Sequence, residues 1–458
     1  MRLALKLFVV LAAASPLFLA LGADAQPARH PGRNGALSEQ EVEFARIAWR
    51  YFENNTNGDT CLVNSVDNYP SASMWDTASA LGALISAHEL QVLADDAFYD
   101  RVRCLLVTLR GLELFEGELP NKAYDTRTAT MTNYANEPAA VGYSAIDLGR
   151  LLIWLRILKE REPYYAPAVN EIVSRWHFCN LLDRCGTLYG AMPQAGAILS
   201  LQEGRLGYEE YAAKGFQLWG FRTTAASRVE PVATARVAGV DVPYDARDPR
   251  TLGAHNYVVT ESYGLDGIEL NWDRSDDRSR DDRTHSDATA SEFASRIYEA
   301  QEARHAQDRI LTARTEHQLD VAPWFVYDTI FSDGYPWNTI AEDGRFLPAS
   351  AAVSTKAAFT LWALWATPYT DLLLASVRDQ FDPERGFYEG TYEATGEPIK
   401  VFTANNNGVI LESLLYKVQG KLLRVGAEEA APWAAPNASG RCQIPARQRS
   451  PCGPAASR

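Results

Sequence analysis

The chain has 458 residues, of which 47% are hydrophobic and 11% aromatic, so it contains enough apolar material for a large buried core. Its 44 basic and 58 acidic side chains give a formal net charge of −14, which disfavours nucleic acid and anionic membrane surfaces as partners. No stretch has the pattern of a phosphate-binding loop or a nucleotide fingerprint, and no cofactor is predicted.

The first 25 residues have the format of a secretory signal peptide. Arg2 and Lys6 provide a basic start, 7–21 is largely apolar, and 23–25 matches an Ala-x-Ala cleavage signal. The apolar run is short for a membrane span, and no later stretch is long and apolar enough to cross a bilayer. The sequence therefore predicts cleavage after Ala25 and a periplasmic or secreted protein without membrane insertion.

Six cysteines lie beyond the predicted signal peptide, and an even count in an exported chain indicates disulfides. Fifteen pairings are possible, and the sequence does not select one of them. The spacing lacks the histidines and ligand pattern of a zinc site, so no metal is predicted. Preference for local bridges favours Cys179–Cys185 and Cys442–Cys452, which leaves Cys61–Cys104.

Along the chain, six segments repeat one format. In each, a loop rich in Gly, Tyr, Trp and Asp or Asn leads into a helix rich in Ala, Ser and Leu. In the first, Leu81, Leu84 and Ile85 share one helical face. The six predicted inner helices lie within 74–90, 142–158, 202–220, 286–303, 354–366 and 405–418.

Amphipathic segments between these six predict outer helices that cover them. Six inner–outer pairs predict an all-α fold, an (α/α)6 toroid over 26–425 with long loops at one end; the alternative is an irregular helical domain. The Ala- and Pro-rich stretch 426–458 is predicted to be a C-terminal extension. The predicted outer helices are 39–53, 96–114, 164–182 and 368–380, with weaker patterns at 223–229 and 305–315.

In a helical toroid, the loops that lead into the inner helices gather at one end, where helix amino termini face one cavity. Carboxylates and aromatic rings that converge on a groove suit sugar binding, because rings stack on pyranoses and polar groups bind hydroxyls. The segment 261–269 is predicted to be part of an insertion over this groove. The candidate substrate-binding residues are Trp75, Asp76, Lys122, Tyr124, Asp125, Glu203, Tyr208, Tyr211, Glu261, Tyr263 and Trp337.

Some of these candidates have purely structural alternatives. Asp76 follows Trp75 at a predicted helix start and could serve only as a cap of that helix. Asp125 could be a turn residue or a helix cap. Glu203 precedes a Gly-Arg pair and could form a salt bridge with Arg205.

A resemblance to a bacterial envelope domain family of unknown function extends over about 40–420. The stretches that carry it are LPNKAYDT at 119–126, SAIDLGRLL at 144–152, QEGRLGYEEYAAKGFQLWG at 202–220 and ESYGLDGIE at 261–269. More distantly, the chain resembles toroidal glycoside hydrolases, namely glucoamylase-like domains and endo-β-1,2-glucanases. The resemblance implies an (α/α)6 fold and activity on a glycan.

Two local matches to those hydrolases indicate catalytic carboxylates. Tyr208-Glu209-Glu210-Tyr211 is similar to a run that leads into their third inner helix, where glucoamylases place the general acid. Gly386-Phe387-Tyr388-Glu389 is similar to a turn of the glucanases that has Asp in the last position. We therefore take Glu210 as the candidate acid, Glu209 as its substitute and Glu389 as the candidate base.

The chemistry of the paired glutamates supports this choice but leaves an alternative. A glycosidase acid has to be protonated near neutral pH, and burial among aromatic rings or beside another carboxylate raises a pKa. A helix amino terminus opposes that shift because it favours the anion. Glu209 and Glu210 could instead only stabilise the first turn of their helix.

The sequence thus predicts an exported glycoside hydrolase that acts on a bacterial glucan or exopolysaccharide with inversion, without a prediction of oligomeric state. Two other classes stay open. A polysaccharide lyase could use groups such as those of His255-Asn256-Tyr257, although the negative net charge disfavours a polyanionic substrate. A noncatalytic glycan-binding subunit would need the same aromatic rings but no acid–base pair.

Overall fold

The computed structural model describes residues 26–27, 31–252, 255–279 and 283–424. The predicted signal peptide and the predicted extension from 426, with Cys442 and Cys452, lie outside these residues. The helices of the described part are α1 (Glu39–Asn55), α2 (Met74–Glu89), α3 (Asp95–Gly111), α4 (Ala145–Arg161), α5 (Ala166–Arg175), α6 (Tyr208–Gln217), α7 (Pro249–Leu252), α8 (Thr260–Leu270), α9 (Ala288–Asp308), α10 (Thr355–Leu364), α11 (Pro368–Val377) and α12 (Ala404–Gln419).

Short antiparallel strands occupy the connections between helices, so the prediction of an all-α chain was wrong in that respect. Some of these strands pair within one connection, as β7 and β8 do, and others pair between connections, as β2 and β5 do. The strands are β1 (Gln26–Pro27), β2 (Ser71–Ser73), β3 (Leu114–Phe115), β4 (Leu119–Pro120), β5 (Ala123–Asp125), β6 (Met131–Thr132), β7 (Tyr189–Gln194), β8 (Ala197–Gln202), β9 (Val232–Val237), β10 (Val240–Asp245), β11 (Thr284–His285), β12 (His317–Gln318), β13 (Phe325–Asp328), β14 (Phe331–Ser332), β15 (Tyr335–Pro336), β16 (Thr339–Ile340), β17 (Ala352–Ser354), β18 (Phe381–Asp382), β19 (Gly386–Phe387), β20 (Gly390–Tyr392) and β21 (Pro398–Ile399).

Six helices contact one another in a cyclic order. Each of α2, α4, α6, α8, α10 and α12 packs against the next, and α12 packs back against α2. Small residues permit the close approach of α4 and α6: a Cβ at Gly215 would lie 2.1 Å from the carbonyl oxygen of Gly149. These six inner helices are buried through their middle turns and form the centre of the hydrophobic core.

Polar caps set where several inner helices begin. The hydroxyl of Ser73 accepts a hydrogen bond from the backbone N–H of Asp76 at 3.0 Å, and that of Ser144 accepts from Asp147 at 3.1 Å. Thr403 caps α12 in the same way. These side chains satisfy amide groups that would otherwise lack a partner in the first turn.

The structure corrects the prediction for the fourth inner helix. The segment 286–303 forms most of α9, which buries only one face, whereas α8 is buried throughout and packs against α6, α10 and α12. Stretch 261–269 is therefore part of the inner ring and not an insertion over it. The weaker outer helices were also misplaced, because 223–229 forms turns and α9 already ends at Asp308. The outer positions are taken by α1, α3, α5, α9 and α11.

Disulfides are present as predicted for an exported chain. Cys61 and Cys104 form a bridge that ties the loop after α1 to α3, with the two Cα atoms 5.8 Å apart. Cys179 and Cys185 are also disulfide-bonded. Among the described residues, no helix combines the length and apolar character needed to cross a membrane.

Candidate active site

Partial exposure along the inner helices occurs at their ends, in several first turns and in several last turns. Trp75 and Asp76 of α2, Asp147 of α4, Glu210 of α6 and Asn405 of α12 are half-buried, whereas the middle turns of the same helices are buried. Contacts among these first turns, described next, place them at one end of the ring. We call this end the amino-terminal rim.

Glu261, at the start of α8, connects the first turns of four inner helices. Its Oε1 accepts hydrogen bonds from Trp75 Nε1 at 3.1 Å and from Asn405 Nδ2 at 2.7 Å, and its Oε2 forms an ion pair with Lys356 of α10. Burial alone would raise the pKa of Glu261, but Lys356 and Arg150 outweigh burial and lower it. The ionised carboxylate therefore fixes an indole, an amide and an ammonium group at the rim.

Glu389 is a second carboxyl group near Lys356. Its Oε1 accepts a hydrogen bond from the hydroxyl of Thr403 at 2.5 Å, and its Oε2 accepts one from the backbone N–H of Gln318 at 3.2 Å. Burial raises the pKa of Glu389 against the opposing effects of Lys356 and Thr403. The residue is only 2% exposed.

Glu316 is a third carboxyl group near Lys356. It accepts a hydrogen bond from the hydroxyl of Tyr208 on one oxygen and from that of Thr315 at 2.9 Å on the other. Burial, with the nearby charge of Glu261, raises the pKa of Glu316 to about 7. Lys356 itself has a raised pKa because the three carboxylates outweigh its burial.

A fully buried arginine supports the rim from below. Arg150 donates to Ser79 at 2.7 Å, to Asn405 Oδ1 at 3.0 Å and to Glu412 at 3.1 Å, and its guanidinium lies 4.7 Å from the ring centre of Trp75. It therefore joins α2, α4 and α12.

Tyr211, a predicted sugar-binding residue, lies among these buried groups and not at the surface of the rim. It is fully buried and donates its hydroxyl to Glu269.

A row of aromatic rings runs across the rim. The ring centres of Trp75 and Tyr208 are 5.8 Å apart, and those of Tyr208 and Tyr257 are 6.1 Å apart. Tyr257 stacks on Tyr327 at 4.4 Å, and Tyr327 meets Phe325 edge-on at 5.2 Å. The rings are thus in contact one after another across the rim, tilted or edge-on except for the stacked pair Tyr257–Tyr327.

A second acidic group lines the rim at α4. Burial, then the nearby charge of Glu203, raises the pKa of Asp147 to about 7. Glu203 caps α4, since its Oε2 accepts a hydrogen bond from the backbone N–H of Ala145 at 2.5 Å, and burial raises its pKa as well. Lys122 is half-buried beside both carboxyls and lowers both pKa values.

The two glutamates that start α6 have different surroundings. Glu209 is 1% exposed and accepts two hydrogen bonds from Gln202, and Arg247 lies 3.6 Å from it. Glu210 is half-buried and accepts a hydrogen bond from the backbone N–H of Gly207 at 2.7 Å, which closes the helix cap. Its other oxygen is buried without a hydrogen-bond partner, and burial raises the pKa of Glu210 to about 8.

Several predicted binding residues have structural roles. Tyr124 is fully buried and donates its hydroxyl to the carbonyl of Glu113. Asp125 forms a turn with Arg127, whose hydrogen bonds lower its pKa to about 2. Asp76 also bonds to the Ser73 hydroxyl at 2.6 Å, as expected for its alternative role at the helix cap.

Two further candidates do not belong to the row. Trp337 is half-buried, with the guanidinium of Arg304 at 4.5 Å from its ring centre. Tyr263 is buried against Gly207, and its hydroxyl has no hydrogen-bond partner. The backbone N–H of Gly207 also donates to Glu210, so the phenol of Tyr263 and the carboxyl group of Glu210 both lie next to Gly207.

His255, Asn256 and Tyr257, the residues that a lyase could use, have different partners in the structure. His255 Nδ1 lies 2.7 Å from Asp333 Oδ2, and buried Asn256 donates to the carbonyl of Asp245 at 3.1 Å. Only Tyr257 of the three belongs to the aromatic row. Within the described residues, no group of three or more His, Cys, Asp or Glu side chains is arranged to hold a metal ion.

Sequence reasoning missed Glu316, Lys356, Asn405 and Tyr327. Lys356 and Asn405 are second residues of inner helices, as Trp75 and Glu261 are, so helix register could have found them. Glu316 and Tyr327 carry no such signal, because the hairpin formed by β12 and β13 brings them to the rim from a distant part of the chain.

The chain belongs to the DUF3131 family, whose members are described as proteins of unknown function; the match covers residues 43–420. This confirms the resemblance to a family of unknown function. A comparison with curated proteins finds no match.

Solved structures share the fold at low sequence identity. A candidate glucoamylase from Bacteroides caccae is 11% identical with a TM-score of 0.58, over 84% of this chain and 94% of that one. An endo-β-1,2-glucanase from Chitinophaga pinensis, in complex with sophorotriose and glucose, is 12% identical with the same score and coverage. An endo-β-1,2-glucanase from Talaromyces funiculosus with β-1,2-glucan is 10% identical with a TM-score of 0.51, over 84% of each chain. The helix-rich chain therefore has the fold of glucoamylase-like and endo-β-1,2-glucanase proteins.

Proposed function

We propose that this protein is an exported glycoside hydrolase with an (α/α)6 toroid fold that cleaves an uncharged β-glucan. The observation that carries the proposal is the amino-terminal rim, where a row of aromatic rings lies beside buried carboxyl groups with raised pKa values. The shared fold with enzymes crystallised with sophorotriose or β-1,2-glucan supports a β-1,2-glucan as the first substrate to test. The disulfides are consistent with export.

Glu210 is the proposed proton donor to the leaving glycosidic oxygen. Its pKa of about 8 keeps it protonated at neutral pH, which a general acid needs. It is the one half-buried residue in the first turn of α6, and one of its oxygens, although buried, has no hydrogen-bond partner in the protein. Its position in the helix cap accounts for its orientation and uses only the other oxygen.

Glu389 is the proposed base that activates water, directly or through a sugar hydroxyl. The hydroxyl of Thr403 and the backbone N–H of Gln318 hold its carboxylate in place, and Lys356 favours its ionised form. Direct activation of water with inversion calls for two carboxyl groups about 6.5–9.5 Å apart, and a relay through a hydroxyl permits a wider gap. The product would then have the opposite anomeric configuration to the substrate.

Glu316 is the second candidate for the proton donor. It shares Lys356 with Glu389, and the hydroxyl of Tyr208 connects it to the aromatic row. Its pKa of about 7 leaves it partly protonated at neutral pH. A direct comparison with Glu210 is therefore part of the test.

The test is hydrolysis of soluble β-1,2-glucan, compared with other neutral β-glucans, by the wild type and by Glu210→Gln, Glu389→Gln and Glu316→Gln. Each Gln variant preserves size and hydrogen bonding but cannot transfer the proton. We expect Glu210→Gln and Glu389→Gln to lose about 10²–10⁴-fold in kcat, the usual range for general acid–base catalysis. The matched control is Glu43→Gln, on the exposed surface of α1.

Each outcome has a defined meaning. A large loss in Glu316→Gln with an active Glu210→Gln moves the donor to Glu316. Unsaturated products would identify a lyase, and glycan binding without products would identify a binding subunit. Proton NMR of the first product shows whether the anomeric configuration is inverted.

A further inference from the structure

The hairpin of β12 and β13 projects from the candidate site. We define the aromatic arm as residues 316–328, which comprise this hairpin and Glu316 at its base. Glu316 accepts a hydrogen bond from Tyr208 of the aromatic row, and the backbone N–H of Gln318 donates to Glu389 at 3.2 Å. The base of the aromatic arm is therefore part of the amino-terminal rim.

One face of the aromatic arm is anchored in the protein. Val326 and Asp328 are fully buried. The carboxylate of Asp328 forms an ion pair with Arg314 at 2.9 Å and accepts a hydrogen bond from the backbone N–H of Ala352 at 2.8 Å. These bonds, together with the pairing of β13 with β16, hold the arm to β16 and β17.

The opposite face of the same strand carries aromatic rings. Because successive side chains of a strand point to opposite faces, Phe325 and Tyr327 share the face that Val326 and Asp328 do not occupy. Tyr327 stacks on Tyr257 with an angle of 13° between the rings. The aromatic row thus continues from the inner helices onto the arm.

The tip of the aromatic arm exposes a tryptophan. Trp324 is 61% exposed, and its backbone has a φ of 71°, which is uncommon for a residue other than glycine. Its carbonyl accepts a hydrogen bond from the N–H of Leu319 at 2.8 Å, and Asp320 of the same turn accepts one from the hydroxyl of Tyr392 at 2.7 Å. The surrounding bonds hold this strained residue, a pattern that is concentrated at functional sites.

We propose that the aromatic arm binds an uncharged glucan chain beyond the point of cleavage, with Trp324 as its outermost stacking surface. The inference rests on the proposed function and adds to it that the substrate is a polymer that the protein holds over several sugar units. Continuity of the rings from Trp75 to Phe325 supports this path. The arm carries acidic residues and no Lys or Arg, which disfavours an anionic glycan as the occupant.

The experiment compares long soluble β-1,2-glucan with sophorotriose for the wild type, Trp324→Ala and Trp324→Phe. Binding is measured by isothermal titration calorimetry, and hydrolysis is measured separately. We expect Trp324→Ala to bind the polymer on the order of ten-fold more weakly, the effect of losing one well-placed tryptophan contact, with Trp324→Phe close to the wild type. Hydrolysis of sophorotriose should be unchanged in both variants.

The control is Tyr164→Ala, which removes an 80% exposed ring just beyond the carboxyl end of α4, away from the rim. The proposal for the arm fails if Trp324→Ala binds the polymer as tightly as the Tyr164→Ala control does. This result would contradict the arm proposal even if the wild type binds and hydrolyses the polymer. If the wild type binds no long β-1,2-glucan, the arm proposal is overturned as well. Binding without hydrolysis supports the arm and counts against the catalytic proposal, so the two failures can be distinguished.

Discussion

Lys356 is the residue on which the charge balance of the amino-terminal rim depends. It forms an ion pair with Glu261, and Glu316 and Glu389 both raise its pKa. A buried charge is tolerated only when it has a counter-ion, because removal from water is costly. The three carboxyls can therefore be close together because one buried ammonium lies among them.

We predict that Lys356→Met destabilises the protein by about 3–5 kcal/mol, the usual cost of leaving a buried partner unpaired. The measurement is the free energy of unfolding in guanidinium chloride. The control, Arg46→Met, breaks an exposed pair with Glu43 and should cost at most about 1 kcal/mol. Equal stability of the two variants would show that Lys356 is not needed to neutralise the site.

Glu210 gives the stability a dependence on pH. Its pKa is raised from 4.5 to about 8 in the folded protein, so the unfolded chain releases this proton at a lower pH than the folded chain does. Folding is therefore favoured by this group at low pH, and that contribution is lost as the pH rises from 4.5 to about 8.

We predict that the wild type loses stability relative to Glu210→Gln as the pH rises from 4.5 to about 8, by at most about 1.4 kcal/mol per pH unit. Above this pH range, the difference in unfolding free energy between the two proteins should be constant. Unfolding free energies measured at several pH values for both proteins check this. Parallel curves would mean that the carboxyl group titrates normally in the folded protein. Glu43→Gln serves as the exposed control and should follow the wild type.

At the scale of elements, the contact of α4 with α6 depends on the absence of side chains. Gly149 and Gly215 face each other there, and a Cβ on Gly215 would lie within 2.1 Å of a backbone oxygen of Gly149. A backbone atom in the middle of a helix cannot move aside as a flexible side chain can. The position of Glu210, in the first turn of α6, therefore depends on this contact.

We predict that Gly215→Ala destabilises the protein by about 1–3 kcal/mol, or more, through overpacking. Gly111→Ala, at the end of α3, is the matched control, since a Cβ there meets no atom within 4 Å. That change should be neutral or stabilising by up to about 1 kcal/mol. Thermal unfolding of both variants measures the two changes in stability. If Gly215→Ala is as stable as the wild type, α4 and α6 can move apart without loss of stability.

The elements also show why sequence patterns located most of the inner helices and misplaced one. Five predicted inner helices overlap α2, α4, α6, α10 and α12, because an Ala- and Leu-rich segment that is apolar all round is typical of a buried helix. In α8, the buried charges Glu261, Asp266 and Glu269 obscured that pattern. Their partners, such as Lys214 at 2.7 Å from Asp266, come from other helices and were not visible in the local sequence.

At the scale of the whole molecule, the net charge of −14 limits the choice of glycan. The rim adds to this, because Asp147, Glu203, Glu316 and Glu389 line it against Lys122 and Lys356. A polymer of uronic acids would meet repulsion both at long range and at the site.

We predict that the protein binds neutral β-1,2-glucan in preference to polygalacturonate, with no measurable binding of the uronate polymer at about 0.15 M salt. Affinity electrophoresis with each polymer in the gel measures this directly. Binding of polygalacturonate that weakens as salt is added would contradict the prediction and would favour the lyase alternative.

The sequence by itself determined the inner-helix periodicity, the family motifs, and the position of Trp75 and Tyr208 at loop-to-helix boundaries. These features are local, so composition and spacing along the chain are enough to indicate them. The Cys61–Cys104 bridge was favoured only by elimination among fifteen pairings, and the structure confirms it.

Only the tertiary structure decided which charges meet. Glu316, Lys356 and Glu389 are far apart in the chain, and their closeness follows from the packing of α8, α10 and α12 and from the hairpin of β12 and β13. Tyr124 and Asp125 looked like Trp75 and Asp76 in sequence, yet in the folded loop Tyr124 donates to a backbone carbonyl and Asp125 accepts from the N–H of Arg127 in a turn. A pKa, a counter-ion and access to a groove depend on neighbours in space, and for that reason they could not be read from the chain alone.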